Sequence, residues 1–223
     1  MKNQYVGDIN DYYKYGLLRI LSGFGEKRLG VCWMLTPERT EYLDNRRQWG
    51  EYDTVLFNKL KRIVHARTVW RIKEAEILRR ARFWEEIIKP NPKQRERYFD
   101  EMLGKFADVD LIFFDPDTGL APSASKRGSK WLCDRELKTA FDKGHSVIFI
   151  QFPWRKKDWV TLLLKRIHEA TGGATVWTFQ TPNKVAFFLA AQQRHLDFFR
   201  RRAMEVKKRW GSKVTVNPDP DSE

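Results

Sequence analysis

The sequence predicts a single α/β domain with a central, mostly parallel sheet of four or five strands flanked by helices. Short apolar runs recur along the chain, segments with helical spacing of apolar residues separate them, and the runs lack strict polar–apolar alternation. Runs of this kind are typical of strands that are covered on both faces. Strands that alternate with helices favour a parallel sheet, and a length of 223 residues fits one domain.

Four apolar runs are predicted to form the strands of this sheet. They are Leu29–Leu35, Val109–Phe114, Ser146–Phe152 and Thr175–Phe179, and each has the length of a strand. A fifth run, Lys184–Ala190, fits either a strand or the beginning of the last helix. The sequence therefore leaves the strand number at four or five.

Helical patterns fill the intervals between these runs. The predicted helices are Asp11–Gly23, Asp134–Lys143, Asp158–Ala170 and Gln192–Trp210. A helical insertion follows the first strand over about residues 54–105, interrupted by two prolines. We expect residues 1–216 to form one domain and residues 217–223, which are polar and contain two prolines, to form a flexible tail.

The composition is that of a folded and strongly basic protein. Hydrophobic residues make up 42% of the chain, which is too many for a disordered segment, and the formal net charge is +13. A positive balance of this size favours an anionic partner, above all a nucleic acid, although a protein can be basic without binding one. The basic residues collect on two predicted helical stretches, which are Lys61, Arg62, Arg67, Arg71, Arg79, Arg80 and Arg82, and Arg200, Arg201, Arg202, Lys207, Lys208, Arg209 and Lys213.

The chain shows no signal for a membrane or an oxidising compartment. It has no apolar stretch of about 18 residues and no apolar segment of a signal peptide at its start. Its two cysteines, Cys32 and Cys133, do not form a spaced pair, which argues against a disulfide framework. We expect a cytoplasmic protein with no membrane partner and no obligate protein partner.

Two carboxylates follow the second predicted strand. Asp115 and Asp117 belong to the segment Phe114–Leu120, in which a proline and a glycine shape a tight turn. In a parallel sheet the ligand crevice lies at the carboxyl ends of the strands, so the pair is a candidate acid–base site. An ordinary turn is the alternative. The pair could also hold Mg²⁺, but no third ligand has an obvious spacing, so we expect no metal and no cofactor.

Polar residues follow the first and fourth predicted strands as well. Glu38 lies in the loop after the first strand, where it is either a crevice carboxylate or part of a capped turn. Asn183 lies in the turn after the fourth strand, and its amide can both donate to and accept from a base.

The residues after the third predicted strand combine aromatic and basic side chains. Gln151 closes the strand, and Trp154, Arg155, Lys156 and Lys157 follow it. Cations beside aromatic rings suit phosphate contacts and base stacking, so this segment is a candidate DNA-binding surface. A solvated helix start is the alternative.

The segment Asp8–Gly16 is dense in polar and aromatic residues. Asp11 is the predicted N-cap of the first helix. That reading leaves Asp8, Asn10 and Lys14 without a role, and Tyr12 could stack on a base. We therefore include these four residues among the candidate substrate contacts.

The acidic motif resembles motifs of two α/β families. The first is the Rossmann-like methyltransferases, whose acidic-Pro motif is similar to Asp115-Pro116-Asp117 and implies S-adenosylmethionine as the methyl donor. In this sequence the loop after the first strand is not glycine-rich. Residues 54–105 also contain no predicted strand that ends in an acidic residue able to bind a ribose.

The second family is the uracil-DNA glycosylase superfamily, which has a four-stranded parallel sheet. Its Asp-Pro dipeptide resembles Asp115-Pro116 and implies that Asp115 activates water. Ser146–Lys157 resembles the later strand of the family and its basic continuation. At the last motif the family has His-Pro-Ser, whereas this chain has Thr181-Pro182-Asn183. In an alternative alignment the first strand carries the motif and Glu38 activates water.

Two longer segments resemble bacterial anti-phage DNA glycosylases that excise glucosylated hydroxymethylcytosine. They are GDINDYYKYGLLRIL and DLIFFDPDTGL. The resemblance implies a monofunctional enzyme that flips a modified base of double-stranded phage DNA and leaves an abasic site. An S-adenosylmethionine-dependent nucleic-acid methyltransferase is the main alternative. A non-enzymatic nucleic-acid-binding module and a Mg²⁺-dependent nuclease are further alternatives.

Overall fold

A computed structural model of the chain describes residues 6–36, 52–63, 68–123 and 128–218. The central sheet contains β1 (Leu29–Cys32), β2 (Arg82–Trp84), β3 (Leu111–Phe114), β6 (Ser146–Gln151), β7 (Val176–Gln180), β8 (Ala186–Ala190) and β9 (Thr215–Pro218). A separate pair is formed by β4 (Gly119–Leu120) and β5 (Trp131–Leu132). The helices are α1 (Ile9–Leu21), α2 (Thr54–Ile63), α3 (Trp70–Glu74), α4 (Pro92–Lys105), α5 (Asp134–Asp142), α6 (Trp159–Thr171) and α7 (Leu196–Trp210).

The central sheet is mixed and has seven strands in the order β2-β1-β3-β6-β8-β7-β9. Strands β2, β1, β3 and β6 are parallel to one another. Strand β8 runs antiparallel to both of its neighbours, β6 and β7, and β9 runs antiparallel to β7. The predicted α/β class with a largely parallel sheet is therefore confirmed, whereas the predicted number of four or five strands is wrong.

Two of the additional strands have sequences that do not look like buried strands. Strand β2 has only three residues and lies inside the interval 54–105, for which the sequence predicts a helical insertion. That interval also contains α2, α3 and α4, so it is helical only in part. Strand β9 is a polar edge strand paired with β7, and it includes Asn217 and Pro218, the first residues of the predicted flexible tail. Strand β2 is too short to form a recognisable apolar run, although Phe83 and Trp84 are buried, whereas β9 is mainly exposed and is a strand because it pairs with β7.

The sheet is covered on both faces, which explains why its central strands are apolar throughout. One core contains Phe113 and Ile148 together with residues of α1, α2, α3 and α7. The other contains Phe114 and Phe149 together with residues of α4, α5 and α6. Neighbouring strand residues thus point to opposite cores, as the alternation of a strand requires. No described helix has the length and the apolar character that a membrane span requires.

The sheet order creates a topological switch point between β1 and β3. The chain passes from β1 to β2 on one side and then returns to β3 on the other side of β1. The connections therefore diverge at the carboxyl ends of β1 and β3, and in open α/β sheets ligands bind at such a switch point. We call this end of the sheet the carboxyl edge.

Candidate functional site

The carboxyl edge brings together residues that follow β1 and β3. Asp115 continues the pairing of β3, since its backbone N–H donates to the carbonyl of Cys32 over 3.0 Å. Asp117 lies two residues further, and its Oδ2 accepts a hydrogen bond of 2.8 Å from Oγ1 of Thr36. Asp115 is buried, whereas Asp117 is partly exposed. The two carboxylates predicted from the sequence thus lie at the switch point, in different environments.

A lysine from α1 lies against the buried carboxylate. Nζ of Lys14 is 2.7 Å from Oδ2 of Asp115 and 2.5 Å from Oδ1 of Asp11. Oδ2 of Asp11 also accepts a hydrogen bond of 2.8 Å from the backbone N–H of Gly7. All three charged side chains are at most 5% exposed. We refer to these residues as the Asp11–Lys14–Asp115 array.

In this array, burial and the neighbouring opposite charges shift the pKa values of the side chains in opposite directions. Burial alone would lower the pKa of Lys14, but the carboxylates of Asp11 and Asp115 outweigh it and raise that pKa well above its ordinary value. Burial raises the pKa of Asp11, and the neighbouring ammonium of Lys14 only partly offsets the effect. Lys14 is therefore a permanently charged group that faces two carboxylates in a water-poor environment.

The N-cap of α1 is Asp8 and not Asp11, so that prediction is wrong. Oδ1 of Asp8 accepts a hydrogen bond of 2.9 Å from the backbone N–H of Asp11, three residues later. The side chain of Asp11 turns instead toward Lys14. Burial and the nearby charge of Asp11 raise the pKa of Asp8 to about 7. The start of α1 therefore carries a carboxyl group that titrates near neutral pH.

We expect the substitution Asp8→Asn to flatten the pH dependence of stability. Asp8 binds its proton more tightly in the folded protein than in the unfolded chain, where the pKa is 3.8. Its contribution to stability is thus complete below a pH of about 4 and is lost as the pH rises through about 7. Between these limits the wild type should lose about 4 kcal/mol relative to Asp8→Asn, because each unit of the pKa difference corresponds to about 1.4 kcal/mol. Asparagine keeps the N-cap.

Urea unfolding of both proteins at several pH values across this window measures the difference. The exposed Asp142 supplies the control Asp142→Asn, whose profile should run parallel to that of the wild type. Parallel profiles for the wild type and Asp8→Asn would show that the proton on Asp8 is not coupled to folding.

A pair of amides connects α1 to the turn between β7 and β8. Nδ2 of Asn183 donates a hydrogen bond of 3.0 Å to Oδ1 of Asn10, and Oγ1 of Thr181 contacts Oδ1 of Asn183. Asn183 is exposed and Asn10 is half-buried. The structure therefore joins two residues that the sequence predicts as separate substrate contacts. Nδ2 of Asn10 also donates to Oδ2 of Asp8 over 3.3 Å, so each amide nitrogen and oxygen has one partner and keeps one further hydrogen or lone pair.

Tyr12 and Gln151, two of the candidate substrate contacts, make their contacts within the fold. The ring of Tyr12 is buried and lies 5.1 Å from the ring of Trp210, while its hydroxyl accepts from the backbone N–H of Asp53 over 2.8 Å. Gln151 is fully buried and accepts from the backbone N–H of Leu120. Its amide also donates to the carbonyls of Thr118 and Phe152. Both side chains are occupied by backbone groups.

Gly119 makes the contact with Gln151 possible. Its φ of +110° favours glycine, and a Cβ at this position would lie 2.3 Å from Oε1 of Gln151. Gln151 thus fixes the turn that follows the two carboxylates, which is a positioning role.

The basic segment after β6, a candidate DNA-binding surface, is mainly exposed. Arg155, Lys156 and Lys157 are exposed, and Trp154 is half-buried with its ring 5.9 Å from Cζ of Arg166. Glu38, the alternative water activator, lies outside the described residues. No three His, Cys, Asp or Glu side chains within residues 6–36, 52–63, 68–123 and 128–218 are grouped so that they could hold a metal ion.

Two residues of this site are absent from the candidates predicted from the sequence. Thr36 follows β1, so the rule about strand ends applies to it as much as to Glu38. The sequence also contains a weaker indication of the ion pair between Asp11 and Lys14. The two residues are three positions apart, which places both side chains on the same face of a helix. The third member, Asp115, lies 101 residues from Lys14, so no local pattern connects them.

Comparison with known proteins yields a distant structural likeness. No family model and no curated protein matches the chain. A solved structure, protein LPL1258 from Legionella pneumophila str. Philadelphia 1, which carries the family model DUF519, is similar to this chain with a TM-score of 0.40 and 12% sequence identity. The match covers 92% of this chain and 94% of that one. A likeness this distant says nothing about function.

Proposed function

We propose that this protein is a DNA glycosylase that hydrolyses the N-glycosidic bond of a modified base. The observation that carries the proposal is the Asp11–Lys14–Asp115 array beside Asp117, at the switch point between β1 and β3. Charges held in a water-poor environment interact strongly with the charges that develop in a reaction. This polar cluster is therefore the best-supported reaction centre among the described residues.

The hydrolysis of an N-glycosidic bond needs a carboxylate near the sugar. As the bond between C1′ and the base nitrogen breaks, its electron pair leaves with the base and positive charge develops at the sugar. The oxygen of a water molecule bonds to C1′, and a carboxylate accepts the proton of that water. Asp117 is partly exposed and held by Thr36, so it can reach a substrate. Asp115 is buried and paired with Lys14, so its role is electrostatic: it contributes to the charge that surrounds Asp117.

Exposed groups near this edge suit a flipped nucleotide. The amide pair Asn10–Asn183 offers donors and acceptors for the edge of a base. Arg155, Lys156 and Lys157 follow β6 at the same edge and can contact phosphates of double-stranded DNA. Glucosylated hydroxymethylcytosine of phage DNA is the proposed base, because of the resemblance to anti-phage glycosylases, and antiviral defence is the proposed context.

The lysine of the array supports a glycosylase without lyase activity. Schiff-base formation needs an accessible, neutral amine, whereas Lys14 is buried and protonated between two carboxylates. The expected product is therefore an abasic site in an intact strand.

Specific observations favour an S-adenosylmethionine-dependent nucleic-acid methyltransferase as a second candidate. Strand β2 exists, and Glu85 follows it directly, at the place where Rossmann-like enzymes bind a ribose. Against a cofactor site, the residues after β1 are not glycine-rich, and the fully buried Met34 has the φ of +47° that glycine would favour.

One experiment separates the two candidates. The purified chain is incubated with duplex DNA that contains uracil or glucosylated hydroxymethylcytosine, and free bases and alkali-labile sites are measured. We expect release of a free base without prior strand cleavage. Calorimetry with S-adenosylmethionine runs in parallel. If the protein binds that compound tightly and releases no base from either DNA, the methyltransferase becomes the better proposal.

A further inference from the structure

A basic concavity lies at the opposite end of the sheet from the Asp117 site. Gly25 precedes β1, and Arg79 and Arg80 precede β2, so the concavity lies at the amino ends of these strands. Its volume is about 550 Å³, and its walls include Phe24 and Lys73. We call it the amino-edge groove. Because β1 is four residues long and rises roughly 3.3 Å per residue, one phosphate group cannot reach both ends of the sheet.

The charges that line the amino-edge groove are mainly positive. Lys73, Arg79 and Arg80 line it and are exposed, and Glu76 is the acidic residue beside them. Within the part of the chain that the structure describes, neither Arg79 nor Arg80 has an ion pair or a hydrogen bond through its side chain. Two adjacent guanidinium groups without a counterion form a surface that attracts anions.

Nearby arginines behave differently, which makes this pair distinctive. Arg28 and Arg82 both pair with Asp108, at 3.1 and 2.6 Å. Lys73 has an acidic neighbour as well, at 3.4 Å from Glu85. Arg79 and Arg80 therefore carry the positive charge of the groove that no acidic side chain pairs with.

The backbone around the groove holds unusual conformations. Phe24, Glu76 and Arg80 have φ values of +54°, +47° and +56°, and they are three of the five described non-glycine residues in the left-handed region. Nζ of Lys59 donates to the carbonyls of Ala75 and Glu76 and so holds one of these turns. Such conformations cost energy and persist where the surrounding structure imposes them, and they collect at ligand sites. The turns fix Arg80 next to Arg79 at the rim.

We propose that the amino-edge groove binds phosphate groups of a nucleotide ligand through Arg79 and Arg80. A guanidinium group offers two parallel N–H donors to a phosphate, and this geometry favours arginine over lysine. The groove is separate from the Asp117 site, so the inference does not depend on glycosylase activity. The phosphates can belong to a polynucleotide or to a free nucleotide, and the two sources differ in their response to the probes below.

The test compares a double variant in the groove with a matched control. Arg79→Gln/Arg80→Gln removes two positive charges from the groove. Lys143→Gln/Lys165→Gln removes two exposed charges at the end of α5 and on α6. Fluorescence anisotropy measures binding of a labelled, unmodified DNA duplex and of its single strand, and calorimetry measures binding of ATP. Unmodified DNA keeps the readout independent of base excision.

We expect the groove variant to weaken at least one probe by about tenfold, whereas the control changes it by less than about twofold. If DNA is the ligand, the slope of log K against log salt should also fall by about 1.8 for the duplex, since two phosphate contacts are lost. If ATP alone weakens, the source is a free nucleotide. If the groove variant binds every probe as tightly as the wild type does, the inference is overturned. An equal loss in both variants would do the same.

Discussion

Replacing Lys14 by methionine is expected to lower the free energy of unfolding by about 3–5 kcal/mol. The change removes the only positive member of the Asp11–Lys14–Asp115 array. It leaves two carboxylates buried next to each other, without the ammonium that lies 2.5 and 2.7 Å from them. The cost arises from the uncompensated charges, because methionine is close to lysine in length and fills most of the space.

Urea unfolding followed by circular dichroism measures this effect. The control Lys138→Met breaks an exposed ion pair with Asp142 on α5, and it should cost less than about 0.5 kcal/mol. A triple variant, Asp11→Asn/Lys14→Met/Asp115→Asn, also removes the two uncompensated carboxylate charges and should regain much of the lost stability. A loss below about 1 kcal/mol in Lys14→Met, with no gain in the triple variant, would show that the array is well solvated.

Replacing Asp117 by asparagine is expected to reduce the rate of base release by about 10³-fold, within the range of general-base catalysis. Asparagine has nearly the same shape and can still accept the hydrogen bond from Thr36. It cannot accept the proton of water. Because Asp117 is partly exposed and lies outside the ion-pair array, the free energy of unfolding should change by less than about 1 kcal/mol.

The comparison of Asp117→Asn with Asp115→Asn separates chemistry from folding. Asp115→Asn removes a partner of Lys14, so it should lower stability as well as activity. The exposed control Asp142→Asn should leave both unchanged. Base release by Asp117→Asn at the wild-type rate would remove Asp117 from the mechanism, and Glu38→Gln would then be the variant to measure.

The fold could be predicted where burial alone determines a strand. Strands β1, β3, β6 and β7 have apolar sequences because helices cover both faces of the sheet, and each overlaps a predicted run. The run Lys184–Ala190 fits a strand or a helix by sequence, and hydrogen bonding to β6 on one side and β7 on the other makes Ala186–Ala190 the strand β8. Strands β2 and β9 depend on pairing at or near the sheet edges, so their sequences carried little signal.

The candidate site divides in a similar way. The sequence by itself determined that two carboxylates follow a buried strand, because a continuous apolar run and the turn after it are local features. Only the tertiary structure decided their environments. It buried Asp115 against Lys14, which is 101 residues away, and left Asp117 partly exposed beside Thr36.

The tertiary structure also decided which candidate side chains are available to a ligand. Tyr12 and Gln151 are polar residues at promising positions, but packing against Trp210 and hydrogen bonds to backbone groups occupy them. Asn10 and Asn183 remain near the surface, joined across the chain. Residue type and spacing are properties of the sequence, whereas burial, ionic partners and access depend on which distant segments the fold brings into contact.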